Sequence, residues 1–167
     1  VGINVCSLWQ EGSHYGWGII SGFDDREPVL GYYDEGSPET ADWEIKYMVE
    51  HGIDFQAFCW FSGRNTVPIG VFANYYHLHD GYMNAEYSDM MKYCLIWEAA
   101  NGSKPQTMQQ WKDFYVPCFI EHYFKDPRYM TIDNKLLLYV FTPDKVYGSE
   151  GFGSTEVCKE AFDYLEE

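Results

Sequence analysis

Apolar residues along this chain follow two alternating patterns: short unbroken runs, and longer stretches in which they recur every three to four positions. Four runs read as strands: residues 3–9 (INVCSLW), 53–61 (IDFQAFCWF), 93–98 (YCLIWE) and 135–142 (KLLLYVFT). They are nearly continuous, as expected when both faces of a strand are covered. The stretch SPETADWEIKYMVEHG predicts a helix, with Ser37 as N-cap, Pro38 at the first helical position and Gly52 just past the end. Its stripe is Ala41, Ile45, Met48 and Val49. A second helix is expected after Thr107, with a stripe of Trp111, Phe114, Tyr115, Cys118, Phe119 and His122 and a kink at Pro117. A third covers TEVCKEAFDYLEE, and a helical segment is expected near residues 85–91.

The resulting order is βαβαβαβα, which implies a parallel sheet covered by helices. A doubly wound sheet and part of a (β/α)8 TIM-type barrel both fit. No G-x-G-x-x-G follows the first strand, and GSEGFG lacks the Lys-Ser/Thr of a phosphate-binding loop. A complete barrel takes roughly 250 residues. The 167 residues here supply about the first four βα units as one α/β domain, the N-terminal half of a barrel. The opening VGINVCSLWQ has neither an initiator Met nor the pattern of a signal peptide, so the chain reads as the interior of a longer protein.

Charge narrows the partners. A formal net charge of −15 opposes binding to phosphate backbones or anionic membranes, whereas a neutral oligosaccharide meets no such objection. No apolar run is long enough to insert into a membrane. Aromatic residues make up 19% of the chain, and their faces suit both cores and the C–H faces of sugar rings. The five cysteines form no C-x-x-C pair. His77, His79 and Asp80 make a sparse H-x-H-D group with no third ligand at recognisable spacing, so no metal and no cofactor are expected.

Barrel active sites lie at the C-terminal ends of the strands. Those ends carry Trp9, Gln10 and Glu11; Trp60 and Phe61; Trp97 and Glu98; and Tyr139, Phe141, Thr142 and Asp144. Alternation separates Glu98 from Trp97. Facing the helices, the Glu98 carboxylate would be a buried charge costing on the order of several kcal/mol. It is therefore expected to share the inner face with Cys94 and Ile96, leaving Tyr93, Leu95 and Trp97 against helices; a salt bridge to a neighbouring Lys or Arg is the competing reading of Glu98. The same logic puts Gln56, Phe58 and Trp60 on one face of the second strand. The face holding Gln56 is the expected interior, which would make Trp60 a sugar platform; plain core packing is the competing reading.

The segments LGYYD, EHGID, CWF, CLIWE and DPRYMTIDNKLLLYVF, taken in order, resemble the WbsX-like group, often described as glycosyltransferases and related to glycoside hydrolase family 99. The resemblance spans residues 28–143. It implies a (β/α)8 barrel acting on an α-linked, mannose-type glycan, with neighbouring-group attack by the sugar 2-hydroxyl in place of a protein nucleophile. It makes Glu98 the candidate catalytic carboxylate and places Tyr33, Asp34, Trp60 and Tyr139 in the sugar site, with Trp9 joining from the first strand end. Two departures matter. The chain reads WEAAN where many relatives read WANE, and it has no motif of the NEW-x-E kind. Glu98 is then an accessory glutamate, and the main proton-transferring carboxylates lie elsewhere. Rival readings are a non-catalytic carbohydrate-binding module and a glycosyltransferase of polysaccharide synthesis. A secreted, periplasmic or cell-surface location is favoured.

Overall fold

The computed structural model describes residues 1–10, 16–62, 76–100 and 104–166. The chain divides into two compact units. The first holds the residues up to Cys59 and the segment that ends at Tyr93; the second holds Trp60 to Ser62 and the residues from Cys94 onward.

In the first unit, strand β1 (Gly2–Val5) pairs in parallel with β2 (Phe55–Trp60), Gly2 opposite Phe55 and Val5 opposite Phe58. Between them runs helix α1 (Pro38–Glu50). Pro38 occupies the first turn, where a missing N–H costs nothing. Gly52 has φ +75°, the left-handed conformation that ends many helices and that glycine adopts without strain. Ser37 takes the N-cap position without a side-chain cap bond. Thr40, Ala41 and Ile45 are the buried face. Phe58 meets the His77 ring edge-on at 5.1 Å, and Tyr82, fully buried, packs on Phe58 and Tyr93. The Tyr82 hydroxyl donates to the Met91 carbonyl, so this polar tip is satisfied inside the core.

In the second unit, β3 (Lys92–Glu98) pairs in parallel with a late strand over Leu95–Leu138 to Glu98–Phe141. A helical run over 108–124 covers one face of β3. Thr107 caps it through its hydroxyl, which accepts from the Gln110 N–H at 3.1 Å. Its hydrogen-bond period alternates: π at Trp111–Tyr115, α at Val116–Phe119, π again at Ile120–Phe124. Pro117, which has no N–H to give, sits where the period changes. The core is aromatic. Trp97 and Trp111 stack at 5.5 Å, ringed by Tyr115, Phe119 and Phe162. The Trp111 N–H donates to the Ala161 carbonyl at 2.7 Å, tying the run to the last helix, Thr155–Glu166.

Three expected elements differ. The first strand was expected to reach residue 9 but ends at Val5. The amides of Leu8 and Trp9 are spent on the carboxylate of Glu35 and are not available to a ladder. The fourth strand, expected over 135–142, is split. Lys135–Leu136 (β5) forms an antiparallel hairpin with Thr131–Ile132 (β4), and only Leu138–Phe141 (β6) joins β3. Asp133 and Asn134, both at positive φ, make the two-residue turn such a hairpin needs. Thr142, also left-handed, ends β6. Near 85–91 there is one 3-10 turn, Ser88–Met90, in place of the expected helix.

Burial pushes the thiols of Cys94 and Cys118 up to about 12. Cys6 is exposed. A thiol-reactive disulfide reagent at about pH 8 is therefore expected to label Cys6 in the native protein and Cys94 and Cys118 only after denaturation. Native-state labelling of either buried thiol would contradict this packing.

Candidate functional site

In the first unit, the chain leaving β1 meets the loop that precedes α1. Glu35 is 6% exposed, and one of its carboxylate oxygens accepts from the amides of Leu8 (2.7 Å) and Trp9 (2.8 Å). The Glu35 amide in turn donates to the Trp9 carbonyl at 3.0 Å. The two segments are thus clamped in both directions around Trp9. Asp34 is exposed, accepts from the Gly36 amide at 2.7 Å, and lies 3.4 Å from the Gln10 side-chain amide.

The clamp carries an aromatic cluster. The Trp9 indole stacks on Trp17 with centroids 4.2 Å apart and planes 8° from parallel. Tyr33 meets Trp17 edge-on at 5.0 Å, and Tyr32 tilts against it at 5.5 Å. The Trp17 N–H donates to the Tyr33 carbonyl at 2.5 Å. Trp9, Trp17 and Tyr33 are half-buried and Tyr32 is exposed, so ring surface remains open to solvent. Amphipathic rings of this kind, held rigidly and partly wet, suit a ligand with apolar faces and hydroxyl edges.

Behind the cluster lies a buried polar chain. His77 is 2% exposed; its Nε2 is 2.7 Å from Glu44 and its Nδ1 is 3.1 Å from the Ser7 hydroxyl. A carboxylate only accepts, so Nε2 carries a proton toward Glu44. Desolvation raises the pKa of Glu35, opposed first by the field of His77 and then by the two amides. Tyr33 is pushed up to about 12 by burial and by the nearby charges of Glu44 and Glu35.

In the second unit, Glu98 ends β3. It is buried at 8%, and one carboxylate oxygen accepts from the Ala100 amide at 2.7 Å. Strand register puts it beside Phe141, with Ile96 beside Tyr139. Residues at one register position share a face. Glu98, Ile96, Tyr139 and Phe141 therefore lie on the face opposite the one where Trp97 packs on the helical run. Tyr139 and Phe141 are 44% and 55% exposed.

Trp60 requires a correction. Its indole is 3% exposed, packs on Tyr115, Phe119 and Tyr123, and donates its N–H to the Tyr123 hydroxyl at 2.8 Å. It is core, not a platform, because the Gln56–Phe58–Trp60 face is the packed one. Gln56 itself is 1% exposed. Four participants escaped sequence reading: Ser7, Trp17, Glu35 and Glu44. Glu35 follows the singled-out Tyr33 and Asp34 directly, but nothing local distinguishes the carboxylate that turns inward. Of the H-x-H-D group, His77 is committed to Ser7 and Glu44. Among the described residues no three His, Cys, Asp or Glu side chains gather as a metal site. Glu11, expected at the first strand end, lies outside the described residues.

No family model matches the chain, and no curated protein matches it. Solved structures do. A GH99 endo-α-mannosidase from Bacteroides thetaiotaomicron, in complex with bis-tris propane, aligns with a TM-score of 0.56 at 16% identity, over 92% of this chain and 48% of that one. Another structure of the GH99 endo-α-mannosidase from the same organism aligns with a TM-score of 0.50 at 19% identity, over 81% of this chain and 40% of that one. The chain therefore has an α/β fold of the TIM-barrel type, like that of the GH99 endo-α-mannosidases, and spans about half the length of those it aligns with.

Proposed function

We propose that this chain is part of a glycan-active enzyme that, like the GH99 proteins it resembles in fold, acts on an α-linked, mannose-type oligosaccharide. The observation that carries the reading is the pairing of that fold with the partly solvent-open Trp9 past the end of β1 and, separately, Glu98 at the end of β3, since barrel enzymes place their sites at such strand ends. In this reading the sugar-contacting residues of the first unit are Trp9, Tyr33 and Asp34, and the second unit, taken by itself, offers Glu98 and Tyr139. Glu98 holds sugar hydroxyls and is accessory to the proton transfers; glycoside hydrolysis ordinarily needs a pair of carboxyl groups flanking the bond. The WbsX-like motifs LGYYD and CLIWE belong to the same proposal.

Glu98→Gln in the full-length protein is expected to lower turnover or affinity for linear α-mannan oligosaccharides at least about tenfold, the scale of one lost charge-assisted hydrogen bond. Unchanged kinetics would remove Glu98 from the site. The competing reading, a binding module without hydrolysis, is favoured by the commitment of Glu35 and Glu98 to backbone amides. It predicts oligosaccharide binding by calorimetry with no release of new reducing ends.

A further inference from the structure

Glu35 is a buried carboxylate, and every backbone hydrogen bond given for Trp9 runs to it. We propose that Glu35 is a positioning residue: in its ionised form it grips the Leu8 and Trp9 amides and holds the Trp9–Trp17 stack in the geometry that receives a sugar, and protonation loosens that grip. The proposal deepens the glycan reading above and rests on it for the ligand, though not for the clamp.

The geometry supports a charge-dependent clamp. Both amides converge on a single carboxylate oxygen, at 2.7 and 2.8 Å, the short distances of bonds to an ionised acceptor. Such bonds are roughly twice as strong as neutral ones. Leu8 and Trp9 have left the β1 ladder, so these bonds replace the strand pairing that would otherwise fix Trp9. Gly81 lies so close to the Glu35 carbonyl that a Cβ would not fit there, so the loop is also packed against the backbone at Gly81. The groups that face Glu35 are Glu44 from α1, His77 from the helical turn His77–Gly81, and Tyr33 from its own loop. His77 favours the ionised form and Glu44 opposes it. Burial, with Glu44 acting the same way, outweighs His77 and the two amides, so Glu35 takes up its proton above its ordinary value.

Stacked indoles give a paired, oppositely signed circular-dichroism signal that reports their mutual geometry without any ligand. The test follows that signal in the full chain between about pH 4 and 8. The wild-type signal is expected to shrink as pH falls, with a midpoint above the ordinary glutamate value. Glu35→Gln keeps an acceptor oxygen but no charge, so its signal should be small and flat with pH. Trp17→Phe should lack the signal throughout, assigning it to this pair. Linear α-mannan oligosaccharide should bind Glu35→Gln about fivefold more weakly than wild type at neutral pH, and equally at the acid end. A wild-type signal that does not change with pH overturns the proposal, and that measurement needs no variant. A transition that persists in Glu35→Gln also overturns it, because the proton then resides on His77 or Glu44. A transition abolished by Glu35→Gln in a protein that binds no mannan upholds the positioning role and defeats the glycan reading alone.

Discussion

Trp97→Ala is expected to destabilise the protein by about 3–5 kcal/mol in urea unfolding at neutral pH, the range for removing a buried aromatic ring. The indole has no solvent exposure, and the aromatic rings that border it include Trp111, Tyr115, Phe119 and Phe162. These neighbours come from two helical segments and are themselves interlocked, Trp111 through its bond to Ala161. They have little freedom to collapse into the space, so the cavity penalty adds to the lost transfer energy. A loss of this size is a large fraction of the total stability of an ordinary domain. Trp43→Ala is the matched control. Trp43 is 42% exposed on α1, and its loss is expected to cost under about 1 kcal/mol. Equal effects for the two tryptophans would mean that the aromatic core is not where the second unit's stability resides.

His77→Ala is expected to cost about 3–4 kcal/mol, and the cause is polar more than apolar. Deleting the ring leaves the Ser7 hydroxyl, 4% exposed, and the largely buried Glu44 carboxylate without the partner each has now. Each stranded buried group costs about 1–3 kcal/mol, and the edge-on contact with Phe58 is lost as well. His77→Gln, which can still donate toward Glu44, should recover part of the loss. Urea denaturation at neutral pH decides: a drop under about 1 kcal/mol would show that water replaces the imidazole readily.

Much of the architecture could be read from the chain. The strands at β2 and β3 are nearly continuous apolar runs, and α1 carries its Pro at the start and a Gly just past its end, so local and global signals agree. β1 was overextended because Leu8 and Trp9 continue its apolar pattern, while the carboxylate that takes their amides comes from Glu35, far along the chain. The fourth strand reads as one piece because KLLLYVFT is apolar from Leu136 to Phe141, whereas the Asp133–Asn134 turn sends Lys135 and Leu136 back against Thr131–Ile132.

For the site, alternation fixed which residues share a face but not which face is packed. The charge on Glu98 supplied the missing information for β3. For β2 the polar Gln56 pointed the wrong way, since the protein buries it, and Trp60 followed it into the core. The Ser7–His77–Glu44 chain joins three separate segments, and no local pattern encodes such a meeting.

The parallel register also bears on how the chain acquires its structure. Gly2 finds Phe55, and Leu95 finds Leu138, each across a loop of more than forty residues. The entropy of closing such loops must be met before any pairing is gained, which places folding of such topologies on the millisecond-to-second scale. The β4–β5 hairpin, with its two-residue turn, can close in about 1–10 μs. It therefore forms long before β6, immediately downstream, has a partner. During that interval the apolar strands are unpaired and open to association with other copies, so slow synthesis at low temperature should favour soluble product.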